Sequence, residues 1–63
     1  MTYKEAIKKL RLKMSMTQEE FAILLGVSFA TINRLETSKY VPSINVIRKL
    51  HPYFEKYNIE VEF

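Results

Sequence analysis

The chain has 63 residues, of which 48% are hydrophobic and none is cysteine. This composition predicts one small globular domain without disulfide bonds or thiolate metal sites, and it is too apolar for a disordered tail. No apolar stretch approaches the roughly 18 residues of a membrane span, and the N-terminus lacks the apolar run of a secretory signal, so we expect no membrane contact and a cytoplasmic location.

The charge of the chain is unevenly distributed. Residues 1–49 hold nine Lys or Arg against four Glu, whereas residues 50–63 hold one Lys against three Glu, for a net charge of +3. A basic body with an acidic tail fits a polyanion bound on one face. Ordinary solubilising charge explains the same numbers about equally well, so charge alone leaves both interpretations open.

The first predicted helix covers about residues 3–14. Thr2 and Glu5 have the spacing of a capping box, in which the threonine bonds the amide three residues on and the glutamate reaches back. Beyond this box, lysines separate apolar residues that recur at helical spacing. The apolar positions are Ala6, Ile7, Leu10 and Met14.

A second and a third helix, at about 18–25 and 29–37, flank the only glycine of the chain. Thr17 opens another capping box, Gly26 can adopt the left-handed conformation that ends a helix, and Ser28 can cap the next helix. Small or apolar residues occupy the positions that two such helices would bury against each other: Phe21, Ala22, Leu25, Val27, Ile32 and Leu35. A unit of this kind can place its second helix in the major groove of DNA.

The remaining chain predicts two more helices and a strand. Ser43 caps a fourth helix, and Pro52 is expected to end it, because proline lacks an amide donor and disfavours helical angles at the preceding residue. A fifth helix then covers about 52–57. The predicted buried stripe of the fourth helix is Ile44, Ile47 and Leu50.

The last six residues, 58–63, alternate apolar and acidic side chains, as a strand does. No other segment is typical of a strand, so this one would need a partner outside its own chain. The predicted fold is therefore all-α: a compact bundle of four to five short helices over residues 1–57, followed by a short C-terminal β-strand extension over 58–63.

With these elements in place, residues 3–50 resemble the Cro/C1-type helix-turn-helix family, also called XRE-type regulators. The resemblance rests on the segments TQEEFA, LLGVS and TINRLE and on the Pro-Ser pair at 42–43, in that order and spacing. It implies a repressor-like bundle that binds double-stranded DNA in a sequence-specific way as a small transcriptional regulator, most often a repressor.

By position, the resemblance assigns Gln18 to a backbone phosphate and the third helix to base reading. Asn33 can pair with adenine, and Arg34 with guanine or a phosphate. Phe29 and Ala30 offer apolar contact to thymine methyl groups. Four further candidates for DNA contact, mainly to phosphate, are Ser28, Thr31, Lys39 and Tyr40.

Several of these assignments have plainer alternatives. Gln18 could be an ordinary surface residue, Phe29 could pack against the loop at 37–42, and Arg34 could be a solvated charge. Capping alone also accounts for Ser28, and a loop lysine such as Lys39 is usually solvated.

Two features concern structure more than DNA contact. Arg11 and Glu36 match a charged pair that bridges the first and third helices in this family, so we expect a partly buried ion pair with a structural role. Ile23 and Leu24 are apolar where family members usually carry polar residues, which indicates either a second contact surface or packing against the tail.

The preferred hypothesis is a homodimer on a palindromic operator, because one such head contacts only a few base pairs. Two copies of the tail strand would pair through Ile59, Val61 and Phe63. The main alternative is a protein-interaction module, such as an antitoxin-like partner, that uses the apolar residues of the second helix and the tail, with DNA binding secondary. Generic nucleoid or RNA binding is a weaker third option.

Enzymatic sites are not indicated by the sequence. The chain has one histidine, His51, and no cysteine, so neither a catalytic constellation nor a metal site is expected. A single glycine also argues against a glycine-rich phosphate loop. We therefore expect no enzyme activity and no cofactor.

Overall fold

A computed structural model of the protein describes residues 2–38 and 41–61. These residues form four helices: α1 (Tyr3–Lys13), α2 (Gln18–Leu25), α3 (Phe29–Thr37) and α4 (Ile44–Lys56). Helix α3 packs against both α1 and α2, and α4 packs against α2. No strand occurs among the described residues. The all-helical fold class is therefore confirmed.

Each helix begins where the sequence places a hydroxyl cap. The capping side chain accepts a hydrogen bond from the amide three residues later at Thr2, Thr17, Ser28 and Ser43. The capping box of α2 is complete, but that of α1 is only half formed, because the Glu5 carboxylate accepts from the Thr2 hydroxyl (2.9 Å). That bond to Thr2 lowers the pKa of Glu5.

One continuous core joins all four helices. Among the described residues, its buried apolar side chains are Ala6, Ile7, Leu10, Phe21, Ala22, Leu25, Ile32, Leu35, Val46, Leu50, Phe54 and Ile59. Six large side chains from all four helices, including Phe21, Ile32 and Leu50, are fully buried. Because burial of apolar surface dominates folding energy, this cluster fixes how α2 and α3 sit on the rest of the domain.

The turn between α2 and α3 depends on Gly26. Its backbone has φ +68°, a left-handed conformation that costs other residues energy. The Val27 amide bonds the Ala22 carbonyl (3.0 Å), which reverses the chain directly after α2. From α4, the Lys49 ammonium group donates to the Leu25 carbonyl (2.9 Å), so a cation occupies the negative end of α2.

The predicted break at Pro52 is wrong, because α4 runs through the proline to Lys56. Val46, Leu50 and Phe54 are spaced four residues apart and are all buried, which requires the helix to continue. Burying the Phe54 ring offsets the one backbone hydrogen bond that the proline removes. The predicted buried stripe is also shifted, since Ile44 is 62% exposed.

The described part of the tail folds back onto its own domain. Asn58 adopts φ +55°, and the Ile59 amide bonds the Phe54 carbonyl (2.8 Å) in a helix-ending motif. Ile59 is 7% exposed, and Val61 packs half-buried against the core. Residues 59–61 thus form no strand pairing with the other described residues, and their alternation instead directs the apolar side chains inward. Phe63 lies outside the described residues.

Candidate nucleic-acid interface

Helix α3 has one side in the core and the other on the surface. Ile32 and Leu35 are fully buried, and Glu36 is only 6% exposed. The side chains predicted to face bases all lie on the exposed side: Phe29, Ala30, Asn33 and Arg34. One helical face therefore presents an aromatic ring, a methyl group, an amide and a guanidinium group together.

Phe29 stands at the first position of α3 with 49% of its surface exposed. A ring with this exposure retains apolar surface that a partner can bury. The alternative, packing against the loop at 37–42, involves Lys39 and Tyr40, which lie outside the described residues. The phosphate contacts expected of those two residues therefore stay predictions.

The start of α3 combines two hydroxyl groups. The Ser28 hydroxyl accepts a hydrogen bond from the Thr31 backbone amide (3.1 Å). A second hydrogen bond joins Ser28 Oγ and Thr31 Oγ1, which lie 2.9 Å apart. Ser28 is exposed and Thr31 half-buried. Both residues thus hold the first turn of α3, and a phosphate at this end would also meet the positive end of the helix.

Arg11 of α1 and Glu36 of α3 form a two-pronged ion pair. Arg11 Nε lies 2.8 Å from Glu36 Oε2, and Nη2 lies 3.0 Å from Oε1. The third nitrogen, Nη1, donates to the Met16 carbonyl (3.0 Å). The side chains are 13% and 3% exposed, and hydrogen bonding to Glu36 raises the pKa of Arg11. The pair therefore fixes α3 against α1 from inside the domain.

Gln18 connects this ion pair to the exposed face of α3. Its Nε2 donates to Glu36 Oε1 (3.3 Å), and its Oε1 accepts from Asn33 Nδ2 (3.3 Å). Gln18 is half-buried and is bonded at both ends of its amide, and its phosphate contact stays a prediction. No sequence pattern links Gln18, Glu36 and Asn33, so the bonds between them were not predicted.

Helix α2 carries an exposed apolar patch formed by Ile23 and Leu24, which are 80% and 38% exposed. Beside it, a shallow groove is lined by Gly26, Lys49 and Tyr53. The exposure of Ile23 shows that it is not covered by the described part of the tail. The second contact surface expected for this patch stays a prediction.

A second groove, of about 450 Å³, lies between the start of α1 and α4. Tyr3 lines it, and burial raises the pKa of the Tyr3 hydroxyl. His51 and Glu55 stand at the same groove with His51 Nε2 3.4 Å from Glu55 Oε1, both largely exposed.

Within residues 2–38 and 41–61, no three His, Cys, Asp or Glu side chains converge on a metal-binding point. None of the four helices is long and apolar enough to cross a bilayer.

Two curated proteins of Archaeoglobus fulgidus are similar to this chain. One is 46% identical over 48 residues, which cover 76% of this chain and 68% of that protein. The other is 44% identical over 48 residues, covering 76% of this chain and 69% of the protein. Both bear the name uncharacterized HTH-type transcriptional regulator. No solved structure matches this chain significantly.

The family profile for the helix-turn-helix matches residues 7–56, which include most of α1 and all of α2, α3 and α4. This match covers the same segments that carry the resemblance noted in the sequence. The chain belongs to the helix-turn-helix family, of the Cro/C1 type.

Proposed function

We propose that this protein regulates transcription by binding a specific double-stranded DNA sequence, with α3 in the major groove. One observation carries the proposal: the exposed face of α3 presents Phe29, Asn33 and Arg34 while its other face is locked into the core. Family membership and the names of the two relatives support the same function. Repression is the simplest mode, since occupying a promoter needs only the DNA contact itself.

The chemistry of α3 suggests what it reads. Asn33 suits adenine, which offers a donor and an acceptor side by side in the major groove, and Arg34 suits guanine or a nearby phosphate. Phe29 and Ala30 suit thymine methyl groups. Gln18 and Ser28, at the starts of α2 and α3, would hold the flanking phosphates through side-chain and backbone donors.

We infer that two copies act together on a palindromic site, with half-sites about one helical turn, ~34 Å, apart. The tail remains our candidate for the contact between copies. Ile59 is engaged in the core of its own domain, so it would anchor the tail. Val61 packs half-buried against the same core, so the pairing would fall to the exposed part of Val61 and to Phe63. Sedimentation of a Val61→Lys variant tests this: an unchanged dimer mass would rule out the tail.

The deciding experiment is selection from a random duplex library, followed by fluorescence anisotropy on the enriched duplex from 50 to 300 mM salt. We expect a palindrome and a steep salt slope, because each neutralised phosphate contributes about 0.9 to that slope. Arg34→Ala should weaken binding strongly. Lys9→Ala is the charge-matched control, because Lys9 is exposed on α1 and is not among the predicted DNA contacts. Binding without an enriched sequence would instead support generic polyanion binding.

A second function, docking of a protein partner on α2, is favoured by the exposure of Ile23 and Leu24. An apolar patch of this kind is a usual mark of a protein interface. A partner that still binds the Asn33→Ala variant but not an Ile23→Asp variant would support this function. The reverse pattern would assign that partner's binding to α3.

A further inference from the structure

A chain of hydrogen bonds runs from the interior of the domain to the proposed reading face. It begins at the Met16 carbonyl and passes through Arg11, Glu36 and Gln18 to Asn33. Glu36, in the middle, has a side chain only 3% exposed, whereas Asn33, at the end, is exposed. A buried group is thus linked by direct bonds to a surface amide that suits a DNA base.

The direction of each bond in this chain is fixed by the one before it. The Glu36 carboxylate, paired with Arg11, can only accept hydrogen bonds. Gln18 must therefore turn its NH₂ group toward Glu36, which leaves its carbonyl oxygen, Oε1, toward α3. An oxygen at that point requires a donor, so Asn33 must turn Nδ2 toward Gln18.

We propose that Gln18 is a positioning residue that sets the orientation of the Asn33 amide, and with it the preference of α3 for adenine. With Nδ2 bound to Gln18 through one hydrogen, Asn33 keeps its other N–H and its Oδ1 for a base. Adenine offers the matching pair, the N7 acceptor and the N6 donor, whereas guanine offers two acceptors. An amide flipped by half a turn would set its donor against the adenine donor.

This role leaves Gln18 able to hold a phosphate as well. Its Nε2 carries two hydrogens, and the bond to Glu36 uses one of them. A residue that only held a phosphate would affect all DNA sequences alike, since phosphates carry no sequence information. A residue that orients Asn33 would affect one base pair. The inference rests on the proposed function, and this difference separates the two roles.

The test compares three variants on the duplex that the wild-type protein enriches and on single-base-pair variants of it. Asn33→Ala first identifies the base pair whose preference depends on Asn33. At that base pair, a bidentate contact should favour A·T over G·C by about 5- to 150-fold. We expect Gln18→Met to reduce this preference by about fivefold or more and to leave preferences elsewhere unchanged. Lys39→Met, a predicted phosphate contact, serves as the control and should weaken binding to every duplex equally.

The inference is overturned if Gln18→Met weakens all duplexes by one common factor, as Lys39→Met is expected to do. If the wild-type protein enriches no sequence, the proposed function fails. The hydrogen bond from Asn33 to Gln18 is then tested by NMR on the protein without DNA. Gln18→Met should shift the side-chain amide NMR signals of Asn33 but not those of Asn45, an exposed amide on α4. Unchanged Asn33 signals would overturn the inference without any DNA measurement.

Discussion

Replacing Arg11 by methionine should destabilise the domain far more than removing an exposed charge. Methionine keeps much of the apolar stem but removes three hydrogen bonds, two to Glu36 and one to the Met16 carbonyl. The Glu36 carboxylate, 3% exposed, would then keep only the amide donor of Gln18. Breaking a buried pair from one side costs about 3–5 kcal/mol, and the stem that remains places this case at about 3 kcal/mol.

That loss is a large part of the stability available to the chain. At about 0.05–0.15 kcal/mol per residue, a domain of this size is stable by only about 3–9 kcal/mol. Each kcal/mol shifts Tm by about 4–8 °C in domains of this length, so the variant should melt about 12–24 °C lower. Urea and thermal unfolding followed by circular dichroism at 222 nm measure both quantities.

The exposed His51–Glu55 pair provides the control. Its side chains are 58% and 74% exposed, so Glu55→Gln should cost about 0–1 kcal/mol. If Arg11→Met costs no more than Glu55→Gln, the ion pair does not fix α3 against α1. Glu36 would then not be held in a fixed position by Arg11, and the hydrogen bonds from Glu36 to Asn33 would not fix the orientation of the Asn33 amide.

Three further substitutions test the fold. Gly26→Ala should cost about 1–2 kcal/mol in urea unfolding, mostly from the left-handed backbone, because the added Cβ meets only the flexible Lys49 Nζ at 3.4 Å. Pro52→Ala should stabilise the domain by about 1–2 kcal/mol, since a continuous α4 regains a backbone bond, whereas a helix starting at Pro52 would gain nothing. Leu25→Ala should lower the free energy of unfolding by about 2–5 kcal/mol, because Leu25 is only 2% exposed. Ile23→Ala, its control, should lower it by less than about 0.5 kcal/mol, because Ile23 is 80% exposed.

Local sequence signals were enough to predict the helix starts. In each cap, the hydroxyl group accepts a hydrogen bond from the amide three residues later, so both groups lie in one short segment that can be recognised in the sequence. These caps are Thr2, Thr17, Ser28 and Ser43. Gly26 was predictable for the same reason, because the left-handed turn it allows is a property of one residue. The bounds of α2 and α3 follow from these signals.

Pro52 and the tail were harder to predict, because tertiary packing overrides their local preferences. A proline after eight helical residues normally ends a helix, but Phe54 gains burial only if α4 continues. The alternation at 58–61 is compatible with a strand. It is equally compatible with an irregular segment whose residues 59 and 61 pack against the core. The core accepts Ile59, and nothing in the local pattern distinguishes these outcomes.

The link from Gln18 to Glu36 and Asn33 could not be predicted from local sequence for a different reason. Gln18 and Glu36 are 18 positions apart, and their contact exists only because α1 and α2 both pack on α3. The resemblance to Cro/C1-type domains pointed to each residue singly, with Gln18 on a phosphate and Glu36 in an ion pair. The chemistry that joins them is the directionality of hydrogen bonds, which appears only once the side chains are placed.

Glu36 serves both the stability of the domain and the orientation of Asn33, and one double variant separates these two roles. Replacing both partners of a buried pair by apolar residues of similar size is often neutral or stabilising, so Arg11→Met with Glu36→Leu should recover most of the loss caused by Arg11→Met alone. Leucine cannot accept a bond from Gln18, so the Gln18 amide would be free to flip and Asn33 would lose its fixed orientation. We therefore expect a stable protein that still binds DNA but distinguishes A·T from G·C less well at the Asn33 base pair, measured by anisotropy beside Tm. Full base preference in that stable variant would show that Asn33 is oriented by DNA alone.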